Sequence, residues 1–204
     1  MKVSTLRAAA ALAMALVLAA CGGKASFDVS GVISPLGPLT NSGLVLANGS
    51  ETLPVAANAT QFTFAHRASY GDDYNVTIQT QPDHMTCQVY NGSGSAGHTS
   101  TILVTVQCTQ NSYLLTGVVT GLKMAADGTT AKTVTLTNGS GTPVTVSANS
   151  DPAVRVNFSM GTVFDGSSYG VTVLNQPDGQ VCTVSNGTGV MHDKPISNVL
   201  VTCI

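Results

Sequence analysis

Imidazole and thioether groups lie side by side at His84-Met85 and again at Met191-His192, with His98 in a neighbouring loop. Ligands of this kind suit copper. The two pairs fall at different places in the internal repeat described below, so the repeat does not make them one site. His66 and His84 align there with Met160 and Gly179, and the fold does not require them. His66, His84, His98 and His192 are therefore expected in solvated loops. Carboxylates gather at Asp72-Asp73 and at Asp165, where oxygen ligands and backbone carbonyls could hold Ca²⁺. The second location reads Asp165-Gly166-Ser167-Ser168, with one carboxylate only, and turn formation by Asp, Gly and Ser accounts for both. Residues 92–97 spell G-x-G-x-x-G. Phosphate binding there needs a helix amino terminus, whereas residues 99–108 alternate as a strand, so a flexible hairpin loop is expected. Residues 166–170 spell G-x-S-x-G, but a nucleophile elbow needs a helix after the turn and Tyr169-x-Val171-x-Val173 alternates as a strand, so no elbow is expected, and nothing predicts a cleft with paired carboxylates.

Thiol chemistry is more constrained. Cys87 and Cys108 lie 21 residues apart, as do Cys182 and Cys203. Each pair stands at the start of one expected strand and the end of the next. If those strands pair, Cys87 faces Cys108 and Cys182 faces Cys203. Such bridges belong to an oxidising compartment. Closing a loop of this length contributes roughly 3 kcal/mol on the chain-entropy estimate. The absence of Cys-x-x-Cys argues against a redox or zinc motif.

The elements that must carry these groups are duplicated. Tyr74-x-Val76-x-Ile78, Gln81-Pro82-Asp83, Cys87, Asn91-Gly92 and Cys108 recur 95 residues later as Tyr169-x-Val171-x-Val173, Gln176-Pro177-Asp178, Cys182, Asn186-Gly187 and Cys203. Earlier matches drift in offset: Gly31-Val32 with Gly117-Val118, Leu46 to Ser50 with Leu136 to Ser140, and Phe64 with Phe158. Drift marks insertions, which sit in loops. Two homologous domains are expected at 27–108 and 113–204, with a linker at 109–112. In the first, strands are expected near 28–33, 43–48, 52–57, 60–65, 73–80, 86–90 and 101–108. Apolar residues alternate along them, as in Ile102-x-Val104-x-Val106-x-Cys108. Asn48-Gly49 and Asn138-Gly139 carry the signal of a type I′ turn. The fold class is thus all-β: two tandem β-sandwich domains of about seven strands each, after a cleaved N-terminal signal helix.

Composition agrees. Only 9% of residues are charged and Trp is absent. Without Lys2 and Arg7 the chain keeps 6 basic residues against 10 acidic ones, a net charge of −4. No basic patch exists for nucleic acid.

At the N-terminus, Lys2 and Arg7 precede an uncharged apolar run at 8–20, which ends in Leu18-Ala19-Ala20-Cys21. Thirteen residues are too few to span a bilayer, which takes about 20. A basic start, short apolar core and small residues before a cut site mark a removable signal. The last four residues resemble the lipobox of bacterial lipoproteins. That resemblance implies cleavage before Cys21, lipidation of its sulfur and acylation of its new amino group. Gly22 in place of aspartate then implies the outer membrane. Farther on, Gly31-Val32, Val45-Leu46, Phe62-x-Phe64 and Gly71-x-x-Tyr74-x-Val76 resemble carboxypeptidase-regulatory-like and Cna-B-type domains, which are small prealbumin-like sandwiches.

The functional expectation is a non-enzymatic, lipid-anchored envelope protein. Its two disulfide-stapled sandwiches would act as a structural, adhesive or protein-interaction module. The expected site residues are Cys21 for lipidation and Cys87, Cys108, Cys182 and Cys203 for disulfides, with no catalytic group, metal or cofactor. The expected partners are the membrane, through the anchor, and a protein. The alternative is a periplasmic ligand- or metal-binding lipoprotein that uses calcium or copper.

Overall fold

Alternation of residue type becomes alternation of burial. The computed structural model describes residues 24–151 and 153–204. Cys21, its lipobox and the signal segment lie outside them. The described chain contains strands and turns with no helix, so no helix there is long and apolar enough to cross a membrane. It divides into two compact units. One runs through Gln81 and takes in Cys87–Cys108; the other comprises Pro82–Thr86 and Thr109–Ile204.

The first copy of the repeat supplies β1 (Ser26–Phe27), β2 (Val29–Ile33), β3 (Val45–Asn48), β4 (Glu51–Pro54), β5 (Gln61–Thr63), β6 (Ala68–Ser69), β7 (Asp73–Thr80), β8 (Met85–Tyr90), β9 (Ser93–Ser95) and β10 (Ile102–Gln110). The second supplies β11 (Ser112–Thr120), β12 (Thr133–Asn138), β13 (Val144–Ser147), β14 (Val156–Phe164), β15 (Ser168–Asn175), β16 (Cys182–Ser185), β17 (Thr188–Val190) and β18 (Ile196–Cys203). Each copy builds two four-stranded sheets. Their orders are β5-β2-β10-β8 with β4-β3-β7-β9, and β14-β11-β18-β16 with β13-β12-β15-β17. The first also has a two-stranded ribbon, β1-β6. In the second copy Leu115, Phe158, Val199 and Val201 of one sheet share a core with Val134, Leu136, Val146 and Val171 of the other. A sandwich is the result. The first and last long strands of each copy pair in parallel, β2 with β10 and β11 with β18.

Three details sharpen the expectations. Each copy has eight sandwich strands where about seven were expected. The additional ones, β9 and β17, lie in the glycine-rich runs expected to be flexible loops. Gly94 and Gly189 leave room for the Tyr74 and Tyr169 rings, since a Cβ at either would stand 2.7 Å from the phenol oxygen. An aromatic ring over a strand glycine supplies the packing that glycine lacks. Second, the turn after Asn48 is not the Asn-Gly pair itself. Asn48 faces Glu51, so Gly49 and Ser50 form the turn, and of these only Gly49 has positive φ. The Asn48 carboxamide oxygen instead accepts from Asn75 N–H, as Asn138 does from Gly170 N–H. Third, the expected linker at 109–112 is almost entirely strand: β10 ends at Gln110, β11 begins at Ser112, and only Asn111 lies between.

Disulfides join Cys87 to Cys108 and Cys182 to Cys203. The second pair is directly in register across β16 and β18. Beside each bridge a glutamine acts as a strand edge. The Gln81 carboxamide accepts from Cys87 N–H at 2.7 Å and donates to Cys87 C=O at 3.1 Å. Gln176 does the same for Cys182, at 2.7 and 3.0 Å. Gly31 and Gly117 likewise lie under the rings of Phe62 and Phe158 across a strand pair, so Phe62, and not Phe64 as the sequence match suggested, is the counterpart of Phe158. The residues shared between the copies are therefore explained by packing and backbone satisfaction.

Candidate metal centre

The repeat also places a histidine where its twin has glycine. Pro82 C=O accepts from Met85 N–H, and Pro177 C=O accepts from Gln180 N–H. These close two equivalent turns. The third residue of each has positive φ: His84 at 59° and Gly179 at 67°. Glycine reaches that region freely, whereas an L side chain there costs roughly 1–2 kcal/mol. The first copy bears this cost to hold an imidazole.

That imidazole approaches Asp165, in the turn between β14 and β15. All groups involved belong to the second unit, which includes the segment carrying His84. Asn111 fixes both backbones: its N–H donates to His84 C=O and its C=O accepts from Asp165 N–H, each at 2.9 Å. Thr86 Oγ donates to the Asn111 carboxamide, and Gln110 Nε2 donates to Asp165 C=O at 3.0 Å. Gly166 follows at φ 81°, and its missing Cβ makes room for the ring, since a Cβ there would stand 3.0 Å from His84 Cδ2. His192 arrives from the segment after β17. Asp193 beside it has φ 54° and donates its N–H to Asp165 Oδ1 at 3.2 Å.

The Asp165 carboxylate is fully buried, the His84 side chain is 34% exposed and that of His192 69%. His84 Nδ1 lies 3.2 Å from Asp165 Oδ2, and His192 Nδ1 lies 3.7 Å from Asp165 Oδ1. His192 Nδ1 is also 3.1 Å from the Asp193 carboxylate. The two rings meet nearly edge to face, with centroids 5.6 Å apart. Despite the short approach, neither His84 Nδ1 nor Asp165 Oδ2 has an aligned hydrogen-bond partner. Burial by itself would raise the Asp165 carboxyl. The Asp193 amide, the His84 ring and the Gly166 amide outweigh it and hold the group below the usual carboxylate range.

This corrects the expectation of four solvated loop histidines. His84 and His192 converge with Asp165 although they occupy unmatched repeat positions. The other candidates remain apart. His66 is an exposed partner of Glu51 at 3.1 Å. His98 is not in the cluster, and Met191 is fully buried in the apolar core. Asp72 caps its own turn, accepting from Ser69 N–H at 2.9 Å, as expected of a turn-forming aspartate. A broad groove of about 540 Å³ over β7 and β8 presents Asn75, Thr77, Gln88 and Ser93 and no ionisable side chain. The sequence did hold one signal for the cluster: a histidine aligned with glycine in a turn that needs positive φ.

The fold thus defines an all-β protein of duplicated, disulfide-stapled sandwiches. No family model matches the chain, and no curated protein sequence matches it. Among solved structures it is similar to the Bacillus anthracis TIE protein, at 14% identity over 88% of this chain and a TM-score of 0.49. The chain spans 34% of that protein's length. It is also similar to the shaft pilin of Lactobacillus rhamnosus GG, at 11% identity, 87% and 98% coverage of the two chains and a TM-score of 0.31. The major pilin of Streptococcus pyogenes gives 11%, 89% and 98%, and 0.33.

Proposed function

We propose that this chain is a non-enzymatic envelope lipoprotein, tethered through acylated Cys21 in the outer membrane, that presents its sandwiches as a structural, adhesive or protein-interaction module. The observation that carries this reading is the division of labour among the repeated residues. Gly31 and Phe62, Tyr74 and Gly94, Gln81 and Cys87 each have a counterpart pair in the second copy, and each pair serves packing or backbone satisfaction. Duplication has multiplied a scaffold and not a reactive constellation. Several apolar side chains remain exposed on outer strands, among them Phe164 on β14 and Val190 on β17. Edges of this kind recruit another chain by strand addition. The lipobox supports the tether, because several acyl chains hold a protein firmly where one is marginal.

Chemical cross-linking in intact envelopes, followed by affinity capture, tests the proposal. A discrete protein adduct is expected with the native chain and not with Cys21→Ser. Recovery of the uncrosslinked chain alone, or turnover of a substrate by the purified protein, would overturn it.

A further inference from the structure

We propose that His84, Asp165 and His192 form a binding site for a divalent transition-metal ion of the zinc type, held by two imidazoles and one carboxylate. Four observations converge on it. The candidate ligand atoms all lie within 4.8 Å of one another. Zinc bound at 2.0–2.1 Å in tetrahedral geometry sets its ligands about 3.3–3.4 Å apart. His84 Nδ1 stands 3.2 Å from Asp165 Oδ2 and His192 Nδ1 stands 3.7 Å from Asp165 Oδ1, so the two imidazoles face the two oxygens of one carboxylate at close to that spacing.

The second observation is the missing hydrogen bond. A buried polar atom left without a partner costs about 1–3 kcal/mol. Asp165 Oδ2 and His84 Nδ1 make no aligned hydrogen bond to any group, and their 3.2 Å approach is a charge contact alone. Two ligand atoms aimed at a common ion adopt this arrangement, because their lone pairs point at the ion and not at each other. The third is His84 itself, kept at positive φ where the equivalent residue of the other copy is glycine. Strain retained at one position against an available unstrained residue points to a function of that side chain.

The fourth is the support around the ligands. Asn111 joins the backbones of His84 and Asp165, Gln110 holds the Asp165 carbonyl, and the Asp193 amide holds Asp165 Oδ1. Outer hydrogen bonds of this kind orient metal ligands. The donor set selects the ion. Imidazole suits Zn²⁺, Co²⁺, Ni²⁺ and Cu²⁺, whereas Ca²⁺ takes 6–8 oxygens. Asp193, next to His192, supplies a further carboxylate within reach of the exposed side. The inference stands independently of the anchor and of any protein partner.

The test uses the full-length protein in detergent, stripped with chelator and then titrated with Co²⁺ and Zn²⁺. One equivalent of Co²⁺ should bind with the visible absorption of a tetrahedral nitrogen–oxygen site. Zn²⁺ should displace it and raise the melting temperature, and millimolar Ca²⁺ should do neither. His84→Asn keeps a residue that tolerates positive φ, and His192→Gln alters an exposed side chain, so both should fold. Each should weaken binding on the order of 100-fold or more, beyond the loss of an outer hydrogen bond. Asp165→Asn should do the same, and His66→Gln should change nothing. Absence of a stoichiometric ion in the native chain, competition by Ca²⁺, or native affinity in both histidine variants would overturn the site.

Discussion

Replacing Gly117 by alanine tests how the sandwich is held together. The added Cβ would stand 2.3 Å from Val199 C=O across the parallel β11–β18 pair and 2.6 Å from Phe158 Cζ. Carbon to carbonyl contacts in sheets lie at about 3.3–3.6 Å. The two strands must therefore part by about 1 Å, at the centre of their ladder, because the carbonyl is backbone and cannot turn aside. Overpacking of this kind costs about 1–3 kcal/mol. Loss of unfolded-state freedom on going from glycine to alanine returns about 0.4–1 kcal/mol. Because the clash is with backbone, the cost falls in the upper part of its range, and we expect a net destabilisation of roughly 2 kcal/mol. Gly170 is the internal control: it lies in β15, lacks positive φ, and a Cβ there meets nothing within 4 Å. Gly170→Ala should be neutral or slightly stabilising. Hydrogen exchange read on β11 and β18 peptides isolates the second copy within the full chain. Gly117→Ala should speed exchange of the most protected amides about 30-fold, the equivalent of 2 kcal/mol. Native protection in Gly117→Ala, or equal damage from Gly170→Ala, would refute the close-approach account.

Two further perturbations probe local devices. Gln176→Ala removes both hydrogen bonds to the Cys182 backbone and should cost about 1–3 kcal/mol in urea unfolding with the disulfides intact, whereas an unchanged midpoint would show the clamp to be idle. Asp127 is held at about 2 by the Thr130 hydroxyl first, then by the Thr130 and Thr129 amides. Its folded value lies below the ordinary 3.8, so its contribution is complete above 3.8 and is lost as pH falls through about 2. The stability gap between the native chain and Asp127→Ala should hold from neutral pH to about 4 and close towards 2; a gap that is constant in acid would contradict this.

Much of the fold was legible because its signals are local. Alternation marks β10, spacing and repetition pair the cysteines, and the 95-residue offset exposes the duplication. What escaped depends on contacts between distant residues. Ser93 to Ser95 look like a loop until Tyr74 covers Gly94. Gln81 and Gln176 look like parts of a turn until their carboxamides meet a cysteine backbone six residues on. The metal cluster was hidden for a stronger reason. Its ligands occupy unmatched repeat positions, 81 and 27 residues apart, so comparing the copies conceals the site while revealing the fold. Only the histidine standing in for glycine at a left-handed turn betrayed it, and φ is not visible in a sequence.

The proposed state of the chain is a stapled sandwich module tethered by an acylated cysteine. Intact mass of the chain extracted from envelopes without reduction tests it most directly. The expected species is residues 21–204 carrying a diacylglyceryl group and an amide-linked acyl chain, and lighter by two hydrogens for each of the two disulfides. A species that begins at Met1, carries no lipid or retains free thiols at Cys87, Cys108, Cys182 and Cys203 would contradict it.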